Sequence, residues 1–170
     1  MKRVDRAHYC RDSRTAYNDS PQVIGYGATI SAPHMHGFVL ETLEPFVQAG
    51  SKVLDVGSGS GYLCACFAEL LSDVGGGTVI GVEHIEDLST WSIENLERDG
   101  KKGTLTLARD GEAAEDPGNI SPPSVLIVQG DGYAGYAKGG EVVNCTSCCQ
   151  TFWSGGCHKS MGFIFFHRPL

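Results

Sequence analysis

The feature that most constrains this sequence is a glycine-rich turn between a strand-like and a helix-like segment. The apolar segment Lys52–Val56 runs directly into the turn Gly57-Ser-Gly-Ser-Gly61. After the turn, apolar side chains from Leu63 to Leu71 recur at i, i+3, i+4, i+7 and i+8, which predicts a helix with one buried face. Such glycines let the backbone turn sharply and let a ligand lie against bare main chain. The pattern therefore predicts an α/β fold that binds a nucleotide-like ligand.

The same alternation continues after this unit. Thr78–Glu83 reads as a second strand, and an amphipathic helix follows from Ile85 to Leu96. A polar stretch at 103–123 reads as a connector without regular structure, and Ser124–Val128 reads as a third buried strand. Strands that alternate with helices predict a parallel sheet covered by helices.

A further helix is expected before the first strand. Near-helical spacing of apolar residues predicts it from about Met35 to Ala49. Pro45 lies within this range, and a proline inside a helix removes one hydrogen bond and clashes with the preceding turn. We therefore expect the helix to kink or end near Glu44.

Length and charge limit the other possibilities. A chain of 170 residues corresponds to one domain. Its 13 basic and 20 acidic residues give a net charge of −7, which argues against binding to nucleic acids or to anionic membranes. No apolar run approaches the ~20 residues that a bilayer span needs. The charged start lacks an apolar stretch behind it, so we expect no signal peptide and a cytoplasmic location.

Three acidic residues lie at or near the carboxyl ends of the three predicted strands. Asp55 precedes the glycine turn, Glu83 ends the second strand and Asp131-Gly132 follows the third. The glycine spacing lacks the third glycine of a dinucleotide fingerprint, which would fall at Tyr62. An acid under the turn would repel a pyrophosphate, whereas it would attract the ammonium and sulfonium groups of S-adenosylmethionine. Glu83 could accept both ribose hydroxyls, and Asp131-Gly132 could meet the adenine amine.

A segment upstream of the turn carries a specific resemblance. It reads Asp19-Ser-Pro-Gln-Val-Ile-Gly-Tyr-Gly-Ala-Thr-Ile-Ser-Ala-Pro-His-Met-His36 and, together with the glycine motif, resembles the protein-L-isoaspartate (D-aspartate) O-methyltransferase family. The resemblance extends from about Val4 to Ala137. It implies a Rossmann-like methyltransferase that passes the methyl group of S-adenosylmethionine to the free carboxylate of isoaspartyl or D-aspartyl residues in damaged proteins.

The resemblance also implies the site residues. Ser31 corresponds to the active-site serine, the segment Ala28–Ser31 lies between cofactor and substrate, and His36 lines the site. The residues expected to hold the cofactor are Ala28, Thr29, Ile30, Ser31, His36, Asp55, Gly57, Ser58, Gly59, Glu83, Asp131 and Gly132. A carboxylate is already ionised at pH 7, so the reaction needs no strong base. We therefore expect Ser31 to orient the substrate carboxylate rather than to attack as a nucleophile, in a monomer that needs no metal.

The sequence changes character after Ala137. We expect a methyltransferase-like domain at 1–137 and a divergent Cys-rich tail at 138–170 that forms no separate domain. The tail shows no helical stripe and no convincing strand, so the sheet is expected to keep three strands and to be incomplete on its C-terminal side. One hypothesis is that the tail arises from alternative splicing or a shifted reading frame.

Two alternatives stay open. The tail residues Cys145, Cys148, Cys157 and His158 could form a small zinc site, although their spacing is irregular. The protein could also be a catalytically inactive remnant of the family that binds the cofactor or another protein.

Overall fold

The computed structural model describes residues 1–101, 105–109, 123–131, 144–147 and 163–167. A short 3-10 helix, Arg6–Tyr9, precedes a hairpin of two strands. The elements then follow in chain order as β1 Gln22–Gly25, β2 Ala28–Ile30, α1 Pro33–Leu43, β3 Ser51–Val56, α2 Tyr62–Val74, β4 Gly77–Glu83, α3 Glu86–Arg98, β5 Leu105–Arg109, β6 Ser124–Gln129, β7 Asn144–Ser147 and β8 Phe163–His167.

The main sheet has six strands in the order β5-β6-β4-β3-β8-β7. The strands β3, β4, β5 and β6 run parallel, whereas β8 pairs antiparallel with β3 and β7 pairs antiparallel with β8. In the parallel part Val56 pairs with Val82, and Glu83 pairs with Gln129. The carboxyl ends of β3, β4 and β6 therefore lie side by side, and the predicted α/β class with a parallel sheet is confirmed.

The predicted number of strands is wrong. The polar connector at 103–123 contains β5, Leu105–Arg109, which adds a fourth parallel strand beside β6. The tail, in which the sequence shows no convincing strand, contributes β7 and β8. The tendency of a segment to form a strand depends strongly on the neighbouring strands that it packs against, so the sequences of these three strands give only a weak signal. In the structure β8 occupies the edge of β3 that a three-strand sheet would leave free.

Helix α1 ends shortly before Pro45, as the sequence predicts. It runs from Pro33 to Leu43, and Pro45 lies in the short 3-10 helix Glu44–Phe46 that follows. Proline is tolerated in the first turn of a helix, where its missing N–H has no partner to lose. The expected range to Ala49 is thus too long, while the expected end near Glu44 is confirmed.

The core forms on both faces of the sheet. The larger cluster joins one face of the strands to the buried sides of α1, α2 and α3, with Phe67, Leu71, Leu88 and Leu96 fully buried. The opposite face carries a smaller cluster of Ile80, Val82, Leu126 and Val128. Within the part of the chain that the structure describes, no helix is long and apolar enough to cross a membrane.

Candidate active site

The carboxyl ends of three neighbouring strands form one rim of the sheet. The N–H of Gly57 donates to the carbonyl of Val82 over 2.8 Å, and the N–H of Gly130 donates to the carbonyl of Glu83 over 3.0 Å. These bonds hold the loop after β3 against β4 and the loop after β6 against β4. Parallel α/β sheets bind ligands at this end of the strands. The predicted cofactor residues Gly57 and Glu83 therefore lie at this rim, and their binding of a ligand stays a prediction.

The glycine turn needs left-handed backbone at three of its positions. Gly57 has φ +82°, Gly59 has φ +53° and Gly61 has φ +80°, which residues with a side chain rarely adopt. A Cβ on Gly61 would also lie 3.2 Å from the Cβ of Ser92. The turn thus packs closely on α3 and leads straight into α2.

Glu83 holds the glycine turn in place through hydrogen bonds. Its side chain is almost fully buried, and its two oxygens accept hydrogen bonds of 3.0 Å from the backbone N–H groups of Gly59 and Ile85. The ring of His84 also lies near, with Nδ1 3.1 Å from Oε1 of Glu83. Oε2 accepts only from Gly59 among these groups and keeps a further lone pair, so Glu83 can still accept a hydrogen bond from a ligand hydroxyl.

Asp55 lies beneath the same turn and is also buried. The thiol of Cys64 donates to its Oδ2 over 3.4 Å. Burial raises the pKa of Asp55 to about 7; the Cys64 hydrogen bond opposes this shift, and the negative charge of Glu83 reinforces it. A cation bound at this rim would favour the ionised form of Asp55.

One further feature of the rim is consistent with a bound polar ligand. The hydroxyl of Ser58 is buried and is the one buried side-chain polar atom in the described part of the chain that has no hydrogen-bond partner. Such an unpaired group calls for an explanation, since buried polar atoms are normally paired.

Gly81 on β4 packs closely beneath the turn, because a Cβ there would lie 2.9 Å from the Cβ of Ser58 and the Sγ of Cys64.

The hairpin β1–β2 lies against the glycine turn. A Cβ on Gly59 would meet Cδ1 of Ile24 at 3.2 Å, so Ile24 on β1 packs directly on the turn. Arg11 links the hairpin to helix α3. Its Nε donates to the carbonyl of Ile24, and its guanidinium lies 3.7 Å from the centre of the Trp91 ring. Sequence analysis did not predict this hairpin, although its turn, Gly25-Tyr-Gly27, is rich in glycine.

The hairpin carries the segment that the resemblance assigns to the site. The side chain of Ile30 is buried in the core, whereas Thr29 is exposed, and Ala28 and Ser31 are half-buried. Ile30 can therefore meet a ligand only through its backbone. The strand β2 ends at Ile30, and Ser31 lies two residues before the first turn of α1.

His36 is buried on α1 behind this segment. Its Nδ1 lies 3.1 Å from Nη1 of Arg6, and its ring packs edge-on against Tyr62, with 4.9 Å between the ring centres. Burial and the nearby Arg6 charge lower the pKa of His36 to about 3, so the ring is neutral at pH 7. Arg6 was not among the predicted site residues; it lies two residues before His8 near the start of the chain, and no sequence pattern indicates its burial.

The last two predicted cofactor residues, Asp131 and Gly132, follow strand β6. Asp131 is exposed, and Gly132 lies outside the described residues. The side chains of the proposed zinc ligands in the tail also lie outside them. Among the residues whose side chains are described, no three His, Cys, Asp or Glu residues are close enough to hold a metal.

Comparison with known proteins agrees with this geometry. The sequence model of one family, described as Protein-L-isoaspartate(D-aspartate) O-methyltransferase (PCMT), matches residues 1–141. The protein-L-isoaspartate O-methyltransferase of Triticum aestivum is 49% identical over 111 residues, which cover 65% of this chain and 46% of that protein. The Caenorhabditis elegans enzyme of the same name is 39% identical over 138 residues, which cover 81% of this chain and 52% of that protein.

A solved structure of a protein with the same name is also similar to this chain. The crystal structure of a protein-L-isoaspartate O-methyltransferase from Plasmodium falciparum, in complex with S-adenosyl-L-homocysteine, matches with a TM-score of 0.63 and 34% identity. The match covers 81% of this chain and 56% of that chain. This chain thus spans about half the length of the relatives that it matches. The Rossmann-like methyltransferase fold is confirmed, and the chain belongs to the protein-L-isoaspartate(D-aspartate) O-methyltransferase family.

Proposed function

We propose that this protein binds S-adenosylmethionine at the rim of β3, β4 and β6 and methylates the free carboxylate of isoaspartyl or D-aspartyl residues in damaged proteins. The observation that carries the proposal is the pair of buried acids, Asp55 and Glu83, at adjacent strand ends around a turn of bare main chain. Two acids at one rim favour a cationic ligand over a phosphate. Family membership supports the same assignment.

The residues of the rim fit this cofactor. Glu83 can accept a hydrogen bond from a ribose hydroxyl while it keeps its two backbone donors. The unpaired hydroxyl of Ser58 offers one further polar contact. Asp55 supplies a negative charge beneath the turn once it is ionised. The relative from Plasmodium falciparum holds S-adenosyl-L-homocysteine, which has the same nucleoside and amino-acid parts.

The reaction requires the substrate carboxylate to be positioned and does not require a general base. When bound, S-adenosylmethionine supplies a methyl group on a positively charged sulfur that an ionised carboxylate can accept directly. The protein then has to hold the substrate carboxylate in line, an effect worth up to ~7 to 11 kcal/mol in well-oriented systems. We assign this role to Ser31, whose half-buried position at the end of β2 allows its hydroxyl to donate to a carboxylate.

The experiment measures methyl transfer from S-adenosylmethionine to a peptide that contains one isoaspartyl residue. The same peptide with an ordinary aspartyl residue is the control for substrate, and Ser31→Ala is the test variant. We expect transfer to the isoaspartyl peptide only, and a loss of about 10- to 100-fold in kcat/KM for Ser31→Ala at unchanged affinity for S-adenosyl-L-homocysteine. Equal rates with both peptides would contradict the proposed substrate.

Calorimetry with S-adenosylmethionine separates the two functional hypotheses. Binding without transfer would indicate the alternative, an inactive member of the family that retains the cofactor site. A folded protein that binds no cofactor would contradict the proposed function and would leave only an inactive family member that binds another protein. The cytoplasmic location, the monomeric state and the boundary at Ala137 stay predictions from the sequence.

A further inference from the structure

Arg6 is a buried cation next to the segment that carries Ser31. Its side chain is 2% exposed although it lies in the short 3-10 helix near the start of the chain. Nη2 donates to the carbonyl of Ser31 over 2.7 Å, and Nε donates to the carbonyl of Ala16, also over 2.7 Å. Nη1 lies 3.1 Å from Nδ1 of His36. One guanidinium thus joins the N-terminal segment, the end of β2 and helix α1.

The same guanidinium reaches the helix that follows the glycine turn. Its central carbon lies 5.2 Å from the centre of the Tyr62 ring, which also packs edge-on against His36. Tyr62 is the first residue of α2, directly after Gly61. Arg6 therefore contacts the predicted substrate segment on one side and the end of the predicted cofactor turn on the other.

The hydrogen-bond partners of Arg6 are neutral. They are two carbonyls and a histidine ring, and within the described part of the chain no carboxylate forms an ion pair with Arg6. An arginine side chain can only donate, so Nδ1 of His36 must be the acceptor and the ring proton must lie on Nε2. A histidine in this state is neutral, which agrees with the low pKa of His36. The carboxylate of Asp19 interacts with this charge at longer range, but in the described part of the chain no carboxylate is directly paired with Arg6 beside Ser31.

We propose that Arg6 is a positioning residue for methyl transfer: its guanidinium fixes the backbone at Ser31 and the ring of His36 and keeps a positive charge beside the place where the substrate carboxylate binds. The inference rests on the proposed function and adds to it a residue that the sequence did not single out. Because Arg6 is buried, it acts through Ser31 and through its charge rather than by touching the substrate.

Arginine is suited to this task and lysine is not. Its planar guanidinium donates in several fixed directions, and here these directions lead to Ser31, Ala16 and His36 at once. A lysine keeps the charge but presents it as a single ammonium group, which cannot hold three separate segments. The substitution Arg6→Lys therefore separates the geometry from the charge.

The test compares Arg6→Lys with Arg3→Lys. Arg3 lies in the same N-terminal segment but is exposed and pairs with Glu69 and Asp73 on the surface. We expect Arg6→Lys to lower kcat for an isoaspartyl peptide about 10- to 100-fold, as a small displacement of a positioning group does. The dissociation constant for S-adenosyl-L-homocysteine should stay within about threefold of the unsubstituted value. Amide hydrogen exchange at residues 30–32 should become faster in Arg6→Lys alone.

Three results would overturn the proposal. An Arg6→Lys protein with the kcat and the exchange rates of Arg3→Lys would show that Arg6 positions nothing. Equal losses in kcat and in affinity for S-adenosyl-L-homocysteine would show a general structural role. If Arg6→Lys fails to fold, Arg6→Gln is assayed in the same way, and Arg6→Gln with full kcat would also count against the proposal. Failure of the proposed function is distinct, because in that case the unsubstituted protein itself transfers no methyl group.

Discussion

The backbone N–H of Gly59 donates a hydrogen bond to the carboxylate of Glu83 over 3.0 Å and thereby fixes the glycine turn after β3 to the end of β4. The other oxygen of Glu83 accepts from the N–H of Ile85, at the start of the next helix. One buried carboxylate thus holds two backbone segments that border the candidate cofactor site. Its charge is at the same time available to ligand hydroxyls.

We expect Glu83→Gln to weaken both stability and cofactor binding. A glutamine amide has one oxygen and one NH₂ group, so one of the two backbone N–H groups would face a donor instead of an acceptor. The loss of a buried hydrogen bond to a charged group costs about 1.5 to 3 kcal/mol. We expect a decrease of this size in the free energy of unfolding, measured in urea, and a 10- to 100-fold weaker affinity for S-adenosyl-L-homocysteine.

The matched control for this prediction is Glu94→Gln. Glu94 lies on the exposed side of α3, away from the rim. The control removes the same charge, so an equal loss of affinity in both variants would indicate a long-range effect of net charge and would contradict the role of Glu83 in the site.

A second prediction concerns Gly81, in the middle of β4. A Cβ at this position would lie 2.9 Å from Sγ of Cys64, Cδ1 of Ile127 and Cβ of Ser58. Overpacking of this kind typically costs 1 to 3 kcal/mol. We expect Gly81→Ala to lower the free energy of unfolding by about this amount and to weaken cofactor binding, because Ser58 belongs to the glycine turn.

The glycine that serves as control is Gly37, on helix α1. A Cβ there would meet only Sδ of Met1, at an ordinary contact distance of 3.7 Å. Alanine favours a helix over glycine by up to about 1 kcal/mol, so Gly37→Ala should be neutral or slightly stabilising. Cys64→Ala removes one of the three close contacts, so Gly81→Ala should cost less stability in that background than in the unsubstituted protein. An equal cost in both backgrounds would show that the contact with Cys64 is not the cause.

The part of the fold nearest to the glycine turn could be predicted from the sequence because each of its signals is local. An apolar run predicts strand β3, the glycines predict the turn and a helical stripe predicts α2, all within some twenty residues. The acids at the strand ends follow from the same reading, since parallel strands place their carboxyl ends at one edge. The resemblance then supplied the segment around Ser31.

What the sequence could not show depends on contacts between distant segments. The strands β5 and β7 lie at the two edges of the sheet and β8 lies between β3 and β7, and the positions of all three are set by the strands they pair with. The burial of Arg6 likewise depends on acceptors at residues 16, 31 and 36, which only the folded chain brings together. A lone arginine near the start of a chain is usually a solvated surface residue, so nothing in the local pattern could distinguish it.

A third prediction concerns Arg11, which holds the hairpin against α3. Its guanidinium lies over the Trp91 ring and its Nε donates to the carbonyl of Ile24. A cation over an aromatic ring contributes about 0.5 to 2 kcal/mol, depending on its exposure. We expect Arg11→Leu to lower the free energy of unfolding by about 1 to 2 kcal/mol, measured in urea.

Arg14→Leu is the control for Arg11. Arg14 is exposed and pairs only with the nearby Asp12 among the hydrogen bonds and ion pairs of the described residues. Exposed ion pairs contribute little, so this variant should unfold at the same urea concentration as the unsubstituted protein. A similar loss in both variants would mean that the Trp91 contact is not what holds the hairpin.

The fourth prediction concerns the pH dependence that Asp55 imposes on stability. Burial raises the pKa of Asp55 from 3.8 to about 7 in the folded protein. Between these two values the folded state therefore binds more protons than the unfolded state, and the free energy of unfolding falls as the pH rises. The full difference would correspond to about 4 kcal/mol at 1.36 kcal/mol per pH unit. Asp55→Asn should lack this fall, and urea unfolding of both proteins between pH 4 and pH 8 measures it.

Cofactor binding should reverse the preference of Asp55 for its neutral form. A bound cation favours the ionised carboxylate, so the affinity for S-adenosylmethionine should rise as the pH increases from about 5 to 7, and binding should release a proton in this range. Calorimetry in two buffers with different ionisation enthalpies measures that proton directly. In Asp55→Asn the affinity should be lower and nearly independent of pH over the same interval. Proton release of equal size in both proteins would show that another group titrates, and that Asp55 does not face the bound cation.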